Sequence, residues 1–200
     1  MSDADVRIRC GWIDQSRLSA PDFEMYRDYH DNEWGRPLRD SGALFERVSL
    51  EAFQSGLSWL IILRKRNNFR AAFDGFDVER VARFGDRDVE RLMGDAGIVR
   101  NRAKIDATIA NARVVADMAD NGADLGELLW SFAPSDRATR ARPASLSDVA
   151  AVTPESTAMA KDLKKRGFRF VGPTTAYALM QATGMVDDHT ADCWVPRPGS

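Results

Sequence analysis

Leu163 to Trp194 reads LKKRGFRFVGPTTAYALMQATGMVDDHTADCW. Three cations, Lys164, Lys165 and Arg166, close a helix that Gly167 stops, and cations suit that end because the helix dipole is negative there. Phe168 to Val171 makes a short apolar turn, Gly172-Pro173 reverses the chain, and a second helix runs from Thr174 to about Thr183. Asp187, Asp188, His189 and Cys193 follow. His189 and Cys193 are four residues apart, so one helical turn would bring both to one face.

Two helices joined in this way read as a helix-hairpin-helix element, a unit that holds a DNA backbone with main-chain N–H groups. The hairpin glycine permits close approach of the backbone. The start of the second helix offers unbonded N–H groups and a positive dipole end to a phosphate. An ordinary helical corner with a charged outer face shows the same pattern, since Gly-Pro marks any turn.

Outward from this segment the chain is read as helical throughout. Ser19-Ala20-Pro21 opens a helix carrying Phe23, Tyr26, Tyr29 and His30. Asp40-Ser41 caps the next, with a stripe of Leu44, Phe45, Val48 and Ala52. Ser58 begins a helix from Trp59 to Phe73, Asp77 and Asp86 cap two short ones, Asn101 caps a longer one reaching about Ala119, and Leu125 to Phe132 forms another. Residues 133–152, rich in Ala, Arg, Ser and Pro, read as a long surface connection before Thr153-Pro154-Glu155 starts the helix that ends in the cations. No segment alternates as a strand does, so the expected fold is all-α, with roughly eight to ten helices. Residues 1–9 and 196–200 are expected as tails around a single domain at 10–195, with the hairpin at about 163–183.

A chain of 200 residues with 44% hydrophobic and 29% charged residues suits one soluble domain with a real core. No apolar run is long enough to cross a membrane and no signal-peptide core opens the chain, so a cytoplasmic location is expected. The net charge of −2 argues against general nucleic-acid affinity. The cations nonetheless cluster, at Arg64 to Arg70, Arg100 to Lys104 and Lys161 to Arg169. A basic face on a neutral protein can still bind DNA, and solvated helix surface explains each cluster equally simply.

The two cysteines and two histidines sort to opposite ends, Cys10 with His30 and His189 with Cys193. Cys2His2 is a complete tetrahedral ligand set for structural zinc, and such a site would clip the ends together. A Cys10–Cys193 disulfide competes with this reading, although a cytosolic location disfavours it. Two buried thiols with unrelated histidines are the third possibility, and His189 beside its acidic pair could instead be a catalytic base. Trp12, Tyr26, Tyr29, Trp34 and Trp59 supply rings suited to a flat ligand. Glu51 lies among Leu50, Ala52 and Phe53, and a carboxylate near a buried face needs a partner or a ligand. Either it points to solvent beside core rings, or the set forms a pocket for a flipped-out, cationic purine.

Several strings resemble one family closely: Cys10-Gly11-Trp12, Tyr29-His30-Asp31-Asn32-Glu33-Trp34-Gly35, Leu57-Ser58-Trp59, Asp95-Ala96-Gly97-Ile98, Lys164-Lys165-Arg166-Gly167-Phe168 and Asp188-His189. They are similar to 3-methyladenine DNA glycosylase I, across nearly the whole span from Cys10 to Cys193. The resemblance implies a helix-hairpin-helix glycosylase fold and hydrolysis of the N-glycosidic bond of 3-methyladenine in double-stranded DNA, leaving an abasic site. It also implies a monomer with one structural zinc on Cys10, His30, His189 and Cys193. The family's base-binding carboxylate falls on Glu51, with pocket rings on Trp12, Tyr29 and Trp59 and with Tyr26 and Trp34 close by. Gly56-Leu57 matches the segment that probes the gap left by the extruded base. Lys164, Lys165, Gly172 and Thr174 fall on the backbone grip. A glycosylase for another alkylated purine, or an inactive zinc-clipped DNA-binding module, fits the same residues less fully. Asp187 departs from the family, which often has Asn there. It could restore the acid that assists catalysis in other helix-hairpin-helix glycosylases, but the favoured expectation is a solvent-facing neighbour of the zinc ligand.

Overall fold

The computed structural model describes residues 7–137 and 139–197. Among these there are nine α-helices, three short 3-10 turns and no β-strand. The helices are α1 (Ala20–Asn32), α2 (Ser41–Gln54), α3 (Trp59–Ala72), α4 (Val78–Ala82), α5 (Asp86–Gly94), α6 (Arg102–Asp120), α7 (Leu125–Trp130), α8 (Pro154–Arg166) and α9 (Pro173–Ala182). Side-chain caps fix several starts. Asp40 accepts from the Ala43 N–H at 2.8 Å, Asp77 from Arg80 at 2.8 Å, and Asn101 from Lys104 at 3.2 Å. Asp86 is the first residue of α5 and not its cap: Gly85 takes the cap position, and Asp88 accepts the Gly85 N–H at 3.1 Å. The expected connection at 133–152 holds, among its described residues, only the 3-10 turn Leu146–Asp148.

α2 is the centre. Leu44, Phe45, Val48, Leu50, Ala52 and Phe53 are all buried, and α3, α6, α7 and α9 pack around the helix. A helix covered on every side is apolar nearly all round, so its few polar residues need explaining. Ser49 turns its hydroxyl back to the Phe45 carbonyl at 2.8 Å. That leaves two buried charges on α2, Arg47 and Glu51, one turn apart. Below them rings pack in series, with Phe53 against Phe69 at 4.7 Å and Phe73 nearly parallel to Phe76 at 5.4 Å.

α8 and α9 pack on one another as a hairpin. Gly167 stops α8 with φ 102°, a left-handed position that a glycine adopts without strain. The first and last described segments meet. The Trp194 N–H donates to the Ile8 carbonyl at 2.9 Å, and Arg9 holds Asp31 through Nε at 2.9 Å and Nη2 at 2.7 Å. Residues 7–9 of the expected tail are thus held in place, while residues 1–6 and 198–200 lie outside the described residues.

Candidate active site and metal cluster

The rings expected to form a pocket do converge. Trp12, Tyr26, Tyr29, Trp34, Glu51 and Trp59, joined by Gln54, Ala178 and Gln181, line a cavity of about 140 Å³. Trp12 meets Tyr26 edge-on at 5.0 Å and Trp34 at 5.2 Å, and Tyr29 leans on Trp59 at 5.3 Å. α1 and α3 bring the tyrosines and Trp59 over the middle of α2, where Glu51 points into the cavity and not to solvent. Glu51 is 4% exposed, and its carboxyl makes no hydrogen bond or ion pair to any described residue. Burial pushes it up from 4.5 to about 7, against a lowering by the Arg47 charge. The Trp59 indole N–H is also buried without a partner.

The cavity continues into an open groove of about 340 Å³ between the end of α2 and the start of α9, lined by Glu51, Gln54, Ser55, Gly56, Leu57, Thr174, Thr175 and Ala178. Gly56 turns the chain at φ 79°, and Leu57 stands 37% exposed. Two expected features meet here, the Gly56-Leu57 loop and the start of α9. α9 begins with Gly172 and Pro173 and has no side-chain cap, so the N–H groups of Thr174 and Thr175 have no intrahelical partner. Gly172 has φ −83°, which any residue adopts, and a Cβ there would meet nothing within 4 Å. Nothing inside the protein requires this glycine. Lys164 and Lys165 are exposed in the last turn of α8 and line neither cavity.

Cys10, His30, His189 and Cys193 come together, all buried, with their ligand atoms within 4.8 Å of one another. The thiols are free, so no disulfide joins them. The expected helical turn between His189 and Cys193 is absent. The segment is a loop in which the Cys193 N–H donates to the Thr190 carbonyl at 2.9 Å, and this turn does the converging instead. Each histidine has one ring nitrogen tied back. His30 Nδ1 lies 2.8 Å from Asp31 Oδ1, and His189 Nε2 lies 3.2 Å from the Trp34 carbonyl. Both acceptors require an N–H, so in the neutral imidazoles the lone pairs sit on His30 Nε2 and His189 Nδ1, the nitrogens that face the cysteines. The sulfur–nitrogen edges are 3.5 Å for Cys10–His189, 3.6 Å for Cys193–His30 and 3.6 Å for Cys193–His189. A tetrahedral ion with metal–sulfur bonds near 2.3 Å and metal–nitrogen bonds near 2.05 Å requires edges of about 3.6 Å. Cys10 Sγ also accepts from the Thr190 N–H at 3.4 Å. Distances and tautomers alike fit a metal ion. The cluster sits behind the pocket wall, with Trp12 5.1 Å from His30 and Trp34 4.7 Å from His189.

Asp187 corrects an expectation. Its side chain is 10% exposed and pairs with Arg142 at 2.8 Å, while Arg142 also donates to the Val195 carbonyl at 2.8 Å. It faces the protein and not solvent, because the 133–152 connection folds back over it. Asp188 is likewise an anchor, accepting from Tyr177 at 2.7 Å and from Gln181 at 2.8 Å. Residue patterns had not marked Gln181. They had put Lys104 in a cluster of surface cations, whereas it is buried and its ammonium binds the Phe53 and Ser55 carbonyls at 2.8 and 2.6 Å, fixing the end of α2. Arg47 was missed as well, although a cation one turn from Glu51 inside an apolar helix was a visible signal. Its Nη1 donates to the Tyr29 hydroxyl oxygen at 3.1 Å.

Fold and site together define an all-helical protein with an aromatic pocket around a buried carboxylate, opening on a groove at a helix N-terminus. The model of the family described as methyladenine glycosylase matches residues 19–196. DNA-3-methyladenine glycosylase 1 of Escherichia coli (strain K12) is 47% identical over 185 residues, 92% of this chain and 95% of that protein. A crystal structure of a 3-methyladenine DNA glycosylase I superposes with a TM-score of 0.86 at 46% identity, covering 94% of this chain and 98% of the other. The Staphylococcus aureus enzyme, solved for the structural basis of its 3-methyladenine recognition, gives 0.82 at 36% identity, covering 88% and 93%. The chain belongs to the methyladenine glycosylase family.

Proposed function

We propose that the protein is a DNA repair glycosylase that hydrolyses the N-glycosidic bond of 3-methyladenine in double-stranded DNA, leaving an abasic site, and that it acts as a monomer in the cytoplasm. The observation that carries this reading is Glu51: a buried carboxyl without a protein partner, at the foot of a pocket of rings. Methylation at N3 gives adenine a positive charge and makes it a good leaving group. A cationic base beside Glu51 favours the carboxylate form, and the carboxylate in turn holds the cation more strongly than neutral adenine. The rings stack on the base and attract its charge through their faces. Glu51 accepts from the base edge, and the unpartnered Trp59 N–H is a donor left for the ligand. As the bond to the sugar breaks, the base leaves with the bonding pair, and water attacks the sugar cation from the groove side.

Extrusion of the nucleotide is supported by the join between cavity and groove at Glu51, Gln54 and Ala178. In this reading Leu57 occupies the gap in the duplex. α8 and α9 act as a helix-hairpin-helix, with the free N–H groups of Thr174 and Thr175 on a phosphate, Gly172 leaving room for the backbone, and Lys164 and Lys165 on neighbouring phosphates. Zinc is the ion for Cys10, His30, His189 and Cys193, since two thiolates and two imidazoles in tetrahedral array suit it and leave no open position. Its contribution is structural: it ties both ends of the chain behind Trp12 and Trp34.

The test is chromatographic identification of bases liberated from methylated DNA. Release of 3-methyladenine that Glu51→Gln lowers by about a hundredfold supports the reading, a size in keeping with a general electrostatic role. Release of a different purine alone would reassign the specificity. Binding to DNA with no base released would make the chain a binding module.

A further inference from the structure

Arg47 is a guanidinium in the buried heart of α2, 8% exposed, directly behind the base pocket. Its fork has two engagements: Nη1 donates to Tyr29 Oη at 3.1 Å, and Nη2 lies 3.6 Å from Glu33 Oε2. Glu33 is held from the other side by both Arg66 nitrogens, at 2.5 and 2.8 Å. The Arg47 guanidinium also lies 5.4 Å from the Tyr29 ring and 5.2 Å from the Trp59 ring. A buried cation is costly to keep without a purpose, and this one touches two walls of the pocket.

We propose that Arg47 is a positioning residue of the base pocket: it turns the Tyr29 hydroxyl into a donor facing the base and keeps Glu51 available as a carboxylate acceptor. The inference rests on the base-binding reading given above. A phenol oxygen that accepts from Arg47 cannot also aim its own proton at that cation, so the proton turns toward the cavity. A donor beside the Glu51 acceptor then matches the edge of adenine, where an amine lies next to a ring nitrogen. The charge acts separately. Arg47 and Glu51 lie one turn apart on α2, both buried, and Glu51 has no ion-pair partner among the described residues; Arg47 is the cation that lowers it against burial. The remaining groups around Glu51 do not replace that charge. From α1 come Tyr26 and Tyr29, both held in the neutral form chiefly by burial. Glu33 and Glu46 lie on the far side of Arg47, each bound to its own arginine, Arg66 and Arg70. α9 contributes uncharged Ala178 and Gln181, and Lys104 from α6 is committed to the carbonyls of Phe53 and Ser55.

The test is the pH profile of kcat/KM for 3-methyladenine release from methylated DNA, with folding followed by circular dichroism. For Arg47→Met the acid limb should move up by about one pH unit, release at pH 7 should fall about fivefold, and most should return above pH 8. Tyr29→Phe should cost less in that background than in the parent, because the two changes act through one contact. An unmoved limb with independent effects of the two substitutions overturns the proposal. Should Arg47→Met not fold, Arg47→Lys decides. It keeps the charge without the fork, so the parental limb should persist while the Tyr29→Phe penalty shrinks. A shifted limb or an undiminished penalty there overturns the proposal. A parent that releases no 3-methyladenine would instead sink the functional reading on which it rests.

Discussion

Glu51 is where stability and function oppose one another. Its carboxyl titrates at about 7 in the folded chain against an ordinary 4.5, because burial disfavours the charge. Between those values the folded state binds more protons than the unfolded one, so stability falls as pH rises from about 4.5 to 7 and stays lowered above that. Glu51→Gln lacks this penalty. It should be more stable than the parent by up to about 3 kcal/mol at pH 8, with the difference vanishing near pH 4, as urea melts at the two pH values would measure. Catalysis runs the other way: kcat/KM for base release should rise with pH through about 7, as the carboxylate forms, and Glu51→Gln should abolish that limb. A parent without the limb would mean that ionised Glu51 is not what holds the base. Much of this was legible beforehand, since a lone acid among Leu50, Ala52 and Phe53 asks for a partner. Arg47 was visible too, as a cation one turn away, but the groups it engages were not. Reading Glu51 as paired with a ligand, and not with its own helix, requires knowing that α2 is covered on every side, which depends on four other helices.

At the scale of elements, helix starts were legible because short polar side chains satisfy the first N–H groups, as Asp40, Asp77, Asn101 and Thr153 do. The His189–Cys193 spacing misled. Four residues suggest a helical turn, but here the loop is shaped by Thr190, by the chain end against Ile8, and by Arg142 arriving from the 133–152 connection. Those contacts are long-range, and no local pattern encodes them. Asp187 was misjudged for the same reason. The α8–α9 hairpin makes its own prediction. Lys164 and Lys165 are exposed and free of cavity walls, so as phosphate contacts they act through charge alone. Alanine at either should weaken binding to undamaged duplex and reduce the slope of log K against log salt by about 0.9 per lysine. Titrations of labelled duplex at several salt concentrations check this, and an unchanged slope would remove these lysines from the grip.

For the whole molecule, the cluster of Cys10, His30, His189 and Cys193 decides how the ends are held. The strings that span it are 179 residues apart at Cys10 and His189, so a bond between them closes almost the entire chain. Closing a loop of that size restricts the unfolded ensemble, on the scale known for cross-links, by on the order of 5 kcal/mol. An ion held there would also fix the backs of Trp12 and Trp34, which line the cavity around Glu51. Stability and base release should therefore be lost together when the metal is removed. Exhaustive dialysis against a strong chelator should remove about one zinc per chain and lower the melting temperature by roughly 10 °C or more, from the few degrees per kcal/mol expected at this size. Cys193→Ser should reproduce both changes and should not respond to added zinc, whereas the dialysed parent should recover its melting temperature on zinc addition. A metal-free preparation that melts where the parent does and releases base as fast would mean that the four side chains are only well-packed neighbours. In that event the two end segments would be held by other contacts, among them the Arg9–Asp31 and Arg142–Asp187 pairs, the Ile8–Trp194 hydrogen bond and the Trp194 indole on Asp31.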